Sequence, residues 1–411
     1  MNLLAIVSVL VATAAVFGWV SSHWLKLPVT VGTMLLTVIA SMCLAKGGAH
    51  FGLYAWAVNL EHRIHFENLI LHGMLPLLLF AGAFLLDLEA LAREKLAVSL
   101  LAVVATLISV FLVAGLMFFA AGTGAPFIEC LIFGALISPT DPIAVLEMLR
   151  RSSVPKPIEA QLAGESLFND GIGAVLFLTL LDVAHGRLPS IWHVVGVLVL
   201  KSGGGIAIGI VAAWATSHLM RRSDAYQVDI LLSLALALGG YVLADTANVS
   251  GPLEAVAAGI ALRYFNRSLP GERISRENVD AFWRVVDEVQ NSLLFVLLGM
   301  EILAVTLNAE TLRAGGAAVL SVSFVRLGTV TLLLSLVRWL RPQHRGSPLI
   351  LTWGGLRGGL SIALALSVPE AMGRSWMLGA TYVVVVFSIV LQGGTMQWLL
   401  LWRKPRHAAL G

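Results

Sequence analysis

The sequence predicts an all-α polytopic membrane protein of about 13 transmembrane helices, built as two inverted repeats whose broken helices cross at the midplane. Three observations carry this expectation. The composition is too apolar for a soluble fold, apolar stretches of spanning length follow one another along the chain, and two of them are interrupted beside centrally placed charges.

Of the 411 residues, 58% are hydrophobic and 12% charged, against about 45–50% apolar and about 25% charged in soluble domains. Lipid can solvate that surface and water cannot. The net charge of +3 reflects basic residues gathered at cytoplasmic loops, so no nucleic-acid partner is expected. Cys43 and Cys130 lie far apart in apolar surroundings and read as inert packing residues. The opening stretch, Asn2 to Trp24, lacks a basic leader and reads as a retained span.

A spanning helix needs about 20 mainly apolar residues. Such stretches fall at 3–24, 28–46, 67–89, 94–121, 126–149, 157–184, 190–218, 224–246, 251–265, 280–306, 312–339, 346–369 and 376–402, with 251–265 short and an interfacial helix expected within 47–66. Basic residues test this count. With the tail (Arg403, Lys404, Arg406) placed inside, nineteen Lys and Arg flank the inner ends and five the outer, while Lys201, Arg326 and Arg357 stay within spans. That asymmetry puts the C-terminus in the cytoplasm and the N-terminus outside, in the cell (inner) membrane.

Ionisable side chains inside a membrane are costly and mark function. Asp141, Asp170, Arg326 and Arg357 stand near the centres of their stretches, so opposite charges share one depth. The fifth stretch reads Ser138-Pro139-Thr140-Asp141-Pro142, where two prolines remove backbone donors and break the helix. The twelfth carries Gly354-Gly355-Leu356-Arg357-Gly358-Gly359, whose glycines weaken the helix and admit close backbone approach. The two interruptions lie seven spans apart, an odd number, so the repeats are inverted. Asp141 suits the positive N-terminal end of a half-helix and Arg357 the negative C-terminal end.

In the sixth stretch, Glu165-Ser166-Leu167-Phe168-Asn169-Asp170, the pairs Ser166/Asp170 and Glu165/Asn169 each repeat at four residues and share neighbouring faces. Carboxylate, hydroxyl and amide oxygens are hard ligands suited to alkali cations, and Arg326 is the obvious counter-ion for one of the acids. The histidines mostly lie at loop ends, and His72 has no paired ligand. Lys201, before Gly203-Gly204-Gly205, reads as an interfacial lysine ahead of a tight helix contact. No nucleophile carries a His–Asp partner pattern, so an enzyme is not expected, nor any cofactor.

These residues together make the chain similar to the monovalent cation/proton antiporters of the NhaP/NHE type. The resemblance is strongest from Ile137 to Pro142 and from Gly164 to Gly171, and runs on through Leu27-Pro28-Val29-Thr30-Val31-Gly32, Ser250-Gly251-Pro252, Phe282-Trp283 to Asn291, Leu298-Gly299-Met300-Glu301 and Trp353 to Gly358. It implies the NhaA-like antiporter fold and a homodimer. Residues 3–89 and 224–306 would form the dimer part, 94–184 and 312–402 the ion-translocating core, and 190–218 a linker helix. It also implies exchange of Na+, K+ or Li+ for H+, with Asp170 as the shared carboxylate. Thr140, Asp141, Glu165 and Ser166 would help form the cation site, the ion (Na+ or K+) lying at Asp141, Glu165, Ser166 and Asp170. Asn169 stands where electrogenic relatives have a second aspartate, Arg326 would pair with Glu165, and Arg357 stands at the second break. Some relatives carry an acid in the third span where this chain has Ala81, and the chain ends soon after its last stretch, so long regulatory tails are not expected. Because Glu165 is tied to Arg326, one-for-one electroneutral exchange follows. Alternatives are a cation channel, which wants several sites in file, and a sodium-coupled solute symporter, which wants a larger polar cavity.

Overall fold

The computed structural model describes residues 3–47, 69–120, 124–150, 154–187, 190–223, 225–267, 273–303, 305, 308–340 and 347–402. The expected interfacial helix within 47–66 and the basic tail from Arg403 fall almost wholly outside these. Among the described residues the chain is helical, with no strand. Its helices are α1 (Leu3–Val20), α2 (Val29–Gly47), α3 (Leu75–Phe84), α4 (from Leu88 to Ala120), α5 (Phe127–Ile137), α6 (Ile143–Arg150), α7 (Lys156–Ala184) and α8 (Ile191–Met220). They continue as α9 (Tyr226–Thr246), α10 (Gly251–Phe265), α11 (Arg273–Met300), α12 (Ala309–Leu340), α13 (Ser347–Gly354), α14 (Gly359–Leu366) and α15 (from Arg374 to Trp402). Wide π-helical turns extend α1 and precede α3, and they interrupt α4 at Leu100–Ala105 and α15 at Ser388–Gly393.

Seven of these helices (α1, α4, α7, α8, α9, α12 and α15) are long and apolar enough to cross a membrane, and the bent pair α13/α14 makes eight. α2, α3 with its preceding turn, and α5 are shorter apolar helices. The 251–265 stretch and the 280–306 stretch as far as Leu303 are helical too, but α10 has only 15 residues and α11 carries Asp280, Arg284, Asp287 and Glu288. The boundary expected between 89 and 94 moves to residues 85–87. Asp87 caps α4 there, its carboxylate accepting from the backbone N–H of Glu89 at 3.0 Å and of Ala90 at 3.1 Å; a capping carboxylate satisfies donors that the first turn leaves bare.

Buried apolar side chains form two clusters. The larger joins α4, α5, α7 and α12 to α15 with α1, α2 and the end of α11. The smaller gathers α3, α9, α10 and the inner face of α8 around Trp283 of α11. Trp283 is fully buried, its ring 4.6 Å from that of Phe80. Its indole N–H finds Ser233 at 3.0 Å, the partner a buried indole needs. α8 and α10 meet through small residues: a Cβ on Gly209 would lie 2.5 Å from the carbonyl oxygen of Glu254, so only glycine permits this approach.

Candidate functional site

Both interruptions foreseen in the sequence are present. Between α5 and α6 the chain leaves helical geometry around Pro139 to Pro142, and between α13 and α14 around Gly355 to Gly358, with a 46° bend across the latter. The two breaks touch. The Asp141 N–H donates to the Leu356 carbonyl at 2.8 Å, joining the extended segments directly. Gly358 lies against Asp141 so closely that a Cβ would stand 2.5 Å from Asp141 Cβ and Oδ2; here only glycine fits.

Each break leaves half-helix ends bare in the protein interior, and charged side chains satisfy them. Arg357 Nη1 donates to the carbonyls of Ser138 and, at 3.0 Å, Pro139, which close the C-terminal end of α5. Asp141 Oδ1 accepts from the Ile143 N–H at 3.1 Å, capping α6. The Arg357 backbone N–H is taken by Ser388 Oγ at 2.9 Å, and that hydroxyl donates to Gln392 at 2.6 Å. Ser388 opens the π-helical turn of α15; such turns recur at functional sites because they re-aim groups a regular helix would hold elsewhere.

α7 runs past the first break and reads it with side chains. Asn169 clamps Thr140 twice, accepting from its N–H at 3.2 Å and donating to its hydroxyl at 2.8 Å. Ser166 donates to the Thr140 carbonyl. On the adjacent stripe Glu165 is fully buried, and Arg326 of α12 grips it with both terminal nitrogens, Nη1 on Oε1 and Nη2 on Oε2 at 3.0 Å. Arg326 Nη2 also donates to the Leu351 carbonyl of α13 at 2.9 Å, tying α7, α12 and α13 together.

A cavity of about 890 Å³ reaches this centre, and Thr140, Asp141, Ser166 and Asp170 line it. Glu165 does not line it; its oxygens are taken by Arg326. Asn169 and both arginines likewise stand behind the wall. Asp170 and Asp141 are only partly enclosed, because their carboxylates face open space. The expected residues therefore fall into two sets. Asp170, Asp141, Ser166 and Thr140 offer oxygens to the cavity, while Glu165, Arg326, Asn169 and Arg357 hold those oxygens in place.

Sequence reasoning passed over the opposite wall. Arg263 of α10 and Asp280, Arg284, Asp287, Glu288 and Asn291 of α11 also line the cavity, and Arg263 pairs with Asp280 at 2.7 Å. Their spacing of three and four residues along α11 marks a polar face and was available as a signal. It hides in a stretch where Phe282, Trp283 and Val286 also alternate. Lys201, set aside in the sequence, pairs with Asp182 at 3.3 Å.

The family model for the transmembrane region of sodium/hydrogen exchangers matches residues 11–402. The chain is 38% identical over 406 residues to the Na(+)/H(+) antiporter NhaP of Pseudomonas aeruginosa, covering 95% of each chain. It is 32% identical over 345 residues to the Na(+)/H(+) antiporter NhaH of Halobacillus dabanensis, covering 82% of this chain and 83% of that one. Its fold matches the structure of the sodium proton antiporter MjNhaP1 from Methanocaldococcus jannaschii with a TM-score of 0.73 at 19% identity, covering 98% and 99% of the two chains.

Proposed function

Since the chain belongs to the sodium/hydrogen exchanger family and is a multi-pass membrane protein, we propose that it exchanges Na+, K+ or Li+ for H+ by alternating access, with Asp170 as the carboxylate that carries either ion. One observation supports this above the others. Two carboxylates, Asp141 and Asp170, open into a cavity where two broken helices meet, and Arg357 and Asp141 occupy the bare half-helix ends there. A bare carboxylate is costly to move through an apolar barrier, and one loaded with a proton or a cation is cheap. Thirteen spans complete the scheme, with the C-terminus cytoplasmic and the N-terminus outside. In that scheme Arg263 and Arg284, which line the cavity, belong to cytoplasmic ends, so the cavity opens inward. The parts 94–184 and 312–402 move as the core against a dimer part of 3–89 and 224–306, with a second copy as partner and lipid around both.

Stoichiometry follows from which acids are engaged. Glu165 is neutralised by Arg326, Asn169 cannot titrate, and Asp141 caps α6. Asp170 remains to cycle, so one cation exchanges for one proton and the cycle is electroneutral. Reconstituted into proteoliposomes, the chain should show proton flux on addition of cation, at an initial rate that an imposed membrane potential leaves unchanged. Lowering the pH should raise the apparent KM for the cation, by about tenfold per pH unit at most, with the cation titrations converging on one maximal rate. Asp170→Asn should abolish exchange while the protein still inserts, since the amide is nearly isosteric but cannot titrate. Robust cation-dependent proton flux from that variant would end the mechanism.

A further inference from the structure

The wall of the cavity that α11 contributes is polar, and Asn291 is the buried one among its polar side chains. Asn291 of α11 is 2% exposed and lines the cavity. Its Nδ2 donates to Asp287 Oδ1 at 3.1 Å, one helical turn away, and its own Oδ1 has no hydrogen-bond partner among the described residues. A buried amide oxygen left without a partner costs free energy until a donor, a water or a cation reaches it. The place is fixed by packing. Leu294, three residues beyond Asn291 on the same face, seats against Gly359, where a Cβ would lie 2.5 Å from Leu294 Cδ1. Gly358, next along, lies against Asp141. Asn291 thus stands a turn from the second helix break, and Asp287 lines the same cavity as Asp141. Arg284, one turn before Asp287, and Arg263, paired with Asp280, keep the stripe from being uniformly acidic.

We infer that Asp287 and Asn291 form a second monovalent-cation subsite, facing Asp141 from α11, which holds the ion before it reaches Asp170. The inference rests on the transport reading above. A carboxylate oxygen and an amide oxygen are hard ligands suited to an alkali cation, and a step with one ligand set on each wall lets an ion shed water in stages.

The test uses the full chain in detergent, with radioactive Na+ and equilibrium binding, in the Asp170→Asn background where exchange cannot occur. Sodium should still bind that protein. Adding Asn291→Leu, which removes the oxygen without altering any charge, should weaken binding by about tenfold. Asp287→Asn should weaken it at least as much, and Asn291→Asp, which restores an oxygen, should recover it. In otherwise native protein in liposomes, Asn291→Leu should raise the apparent KM for Na+ far more than it changes the maximal rate. Absence of sodium binding to Asp170→Asn, or binding indifferent to Asn291→Leu in protein that elutes as the parent does, overturns the subsite. Binding lost on Asn291→Leu in a chain whose native form shows no exchange would uphold the subsite and overturn the transport reading instead.

Discussion

Two buried acids on neighbouring helices are treated in opposite ways. Glu165 of α7 is fully enclosed and meets both terminal nitrogens of Arg326. Glu254 of α10 is equally enclosed, yet neither carboxylate oxygen has a hydrogen-bond partner among the described residues. It lies against the backbone of α9 at Gly240, where a Cβ would stand 2.1 Å from Oε1. Around the two helix breaks, polar groups cross-link helices and fix a constellation. Among α8, α9 and α10, close glycine contacts do the fixing and the acid is a guest. A buried carboxylate therefore says little about stability until its partners are known.

The contrast can be broken most forcefully on the side of the helix breaks. Glu165→Ala or Arg326→Ala leaves one buried charge alone, which typically costs about 3–5 kcal/mol. Either variant should lower the melting temperature in detergent sharply. Equal melting of both single variants and the parent would show that the pair does not hold the helices.

A smaller effect of opposite sign is expected at Glu254. Replacing it with Met removes two unpartnered oxygens and keeps the volume, so stability should rise by about 1–3 kcal/mol, read as a higher melting temperature. A fall comparable to that of Glu165→Ala would mean that Glu254 carries an unrecognised bond and that the two acids are alike after all.

Least of all should depend on the pair linking α4 to the end of α10. Arg267 meets Glu89, with side-chain exposures of 48% and 58%. Exposed ion pairs are worth about 0–1 kcal/mol, so Arg267→Ala should leave melting nearly unchanged at moderate salt. A large drop would place this contact in a drier setting than its exposure indicates.

How far the sequence spoke for itself can be judged residue by residue. Pro139, Pro142 and the four glycines around Arg357 announced both breaks, because proline and glycine act on the backbone wherever they sit. That Arg326 would counter one of the acids of α7 was legible from charge and depth; that the acid would be Glu165 was implied only by the family resemblance. That Glu165 would leave the cavity was not, because the side of α7 that an acid faces depends on the neighbour it meets. The Asp287–Asn291 wall was also missed. On one helix a polar stripe reads the same whether it faces water, lipid headgroups or another helix, and only tertiary packing decides. Ser388 and Gln392, which hold the Arg357 backbone, lie in a run of apolar residues where nothing local sets them apart.

The single backbone bond from Asp141 to Leu356 also bears on how the chain is made. Its two ends belong to opposite halves of the sequence, so an N-terminal half inserted into the bilayer during synthesis holds a bare amide at Asp141. Until Arg357 emerges, it also holds unclaimed carbonyls at Ser138 and Pro139. Backbone groups unsatisfied at membrane depth are costly, and long-range closures form late. The junction of the two breaks is then the last thing to be assembled, and a chain truncated before α13 should be held by the cell's quality control as unfinished even though most of its helices are already in place.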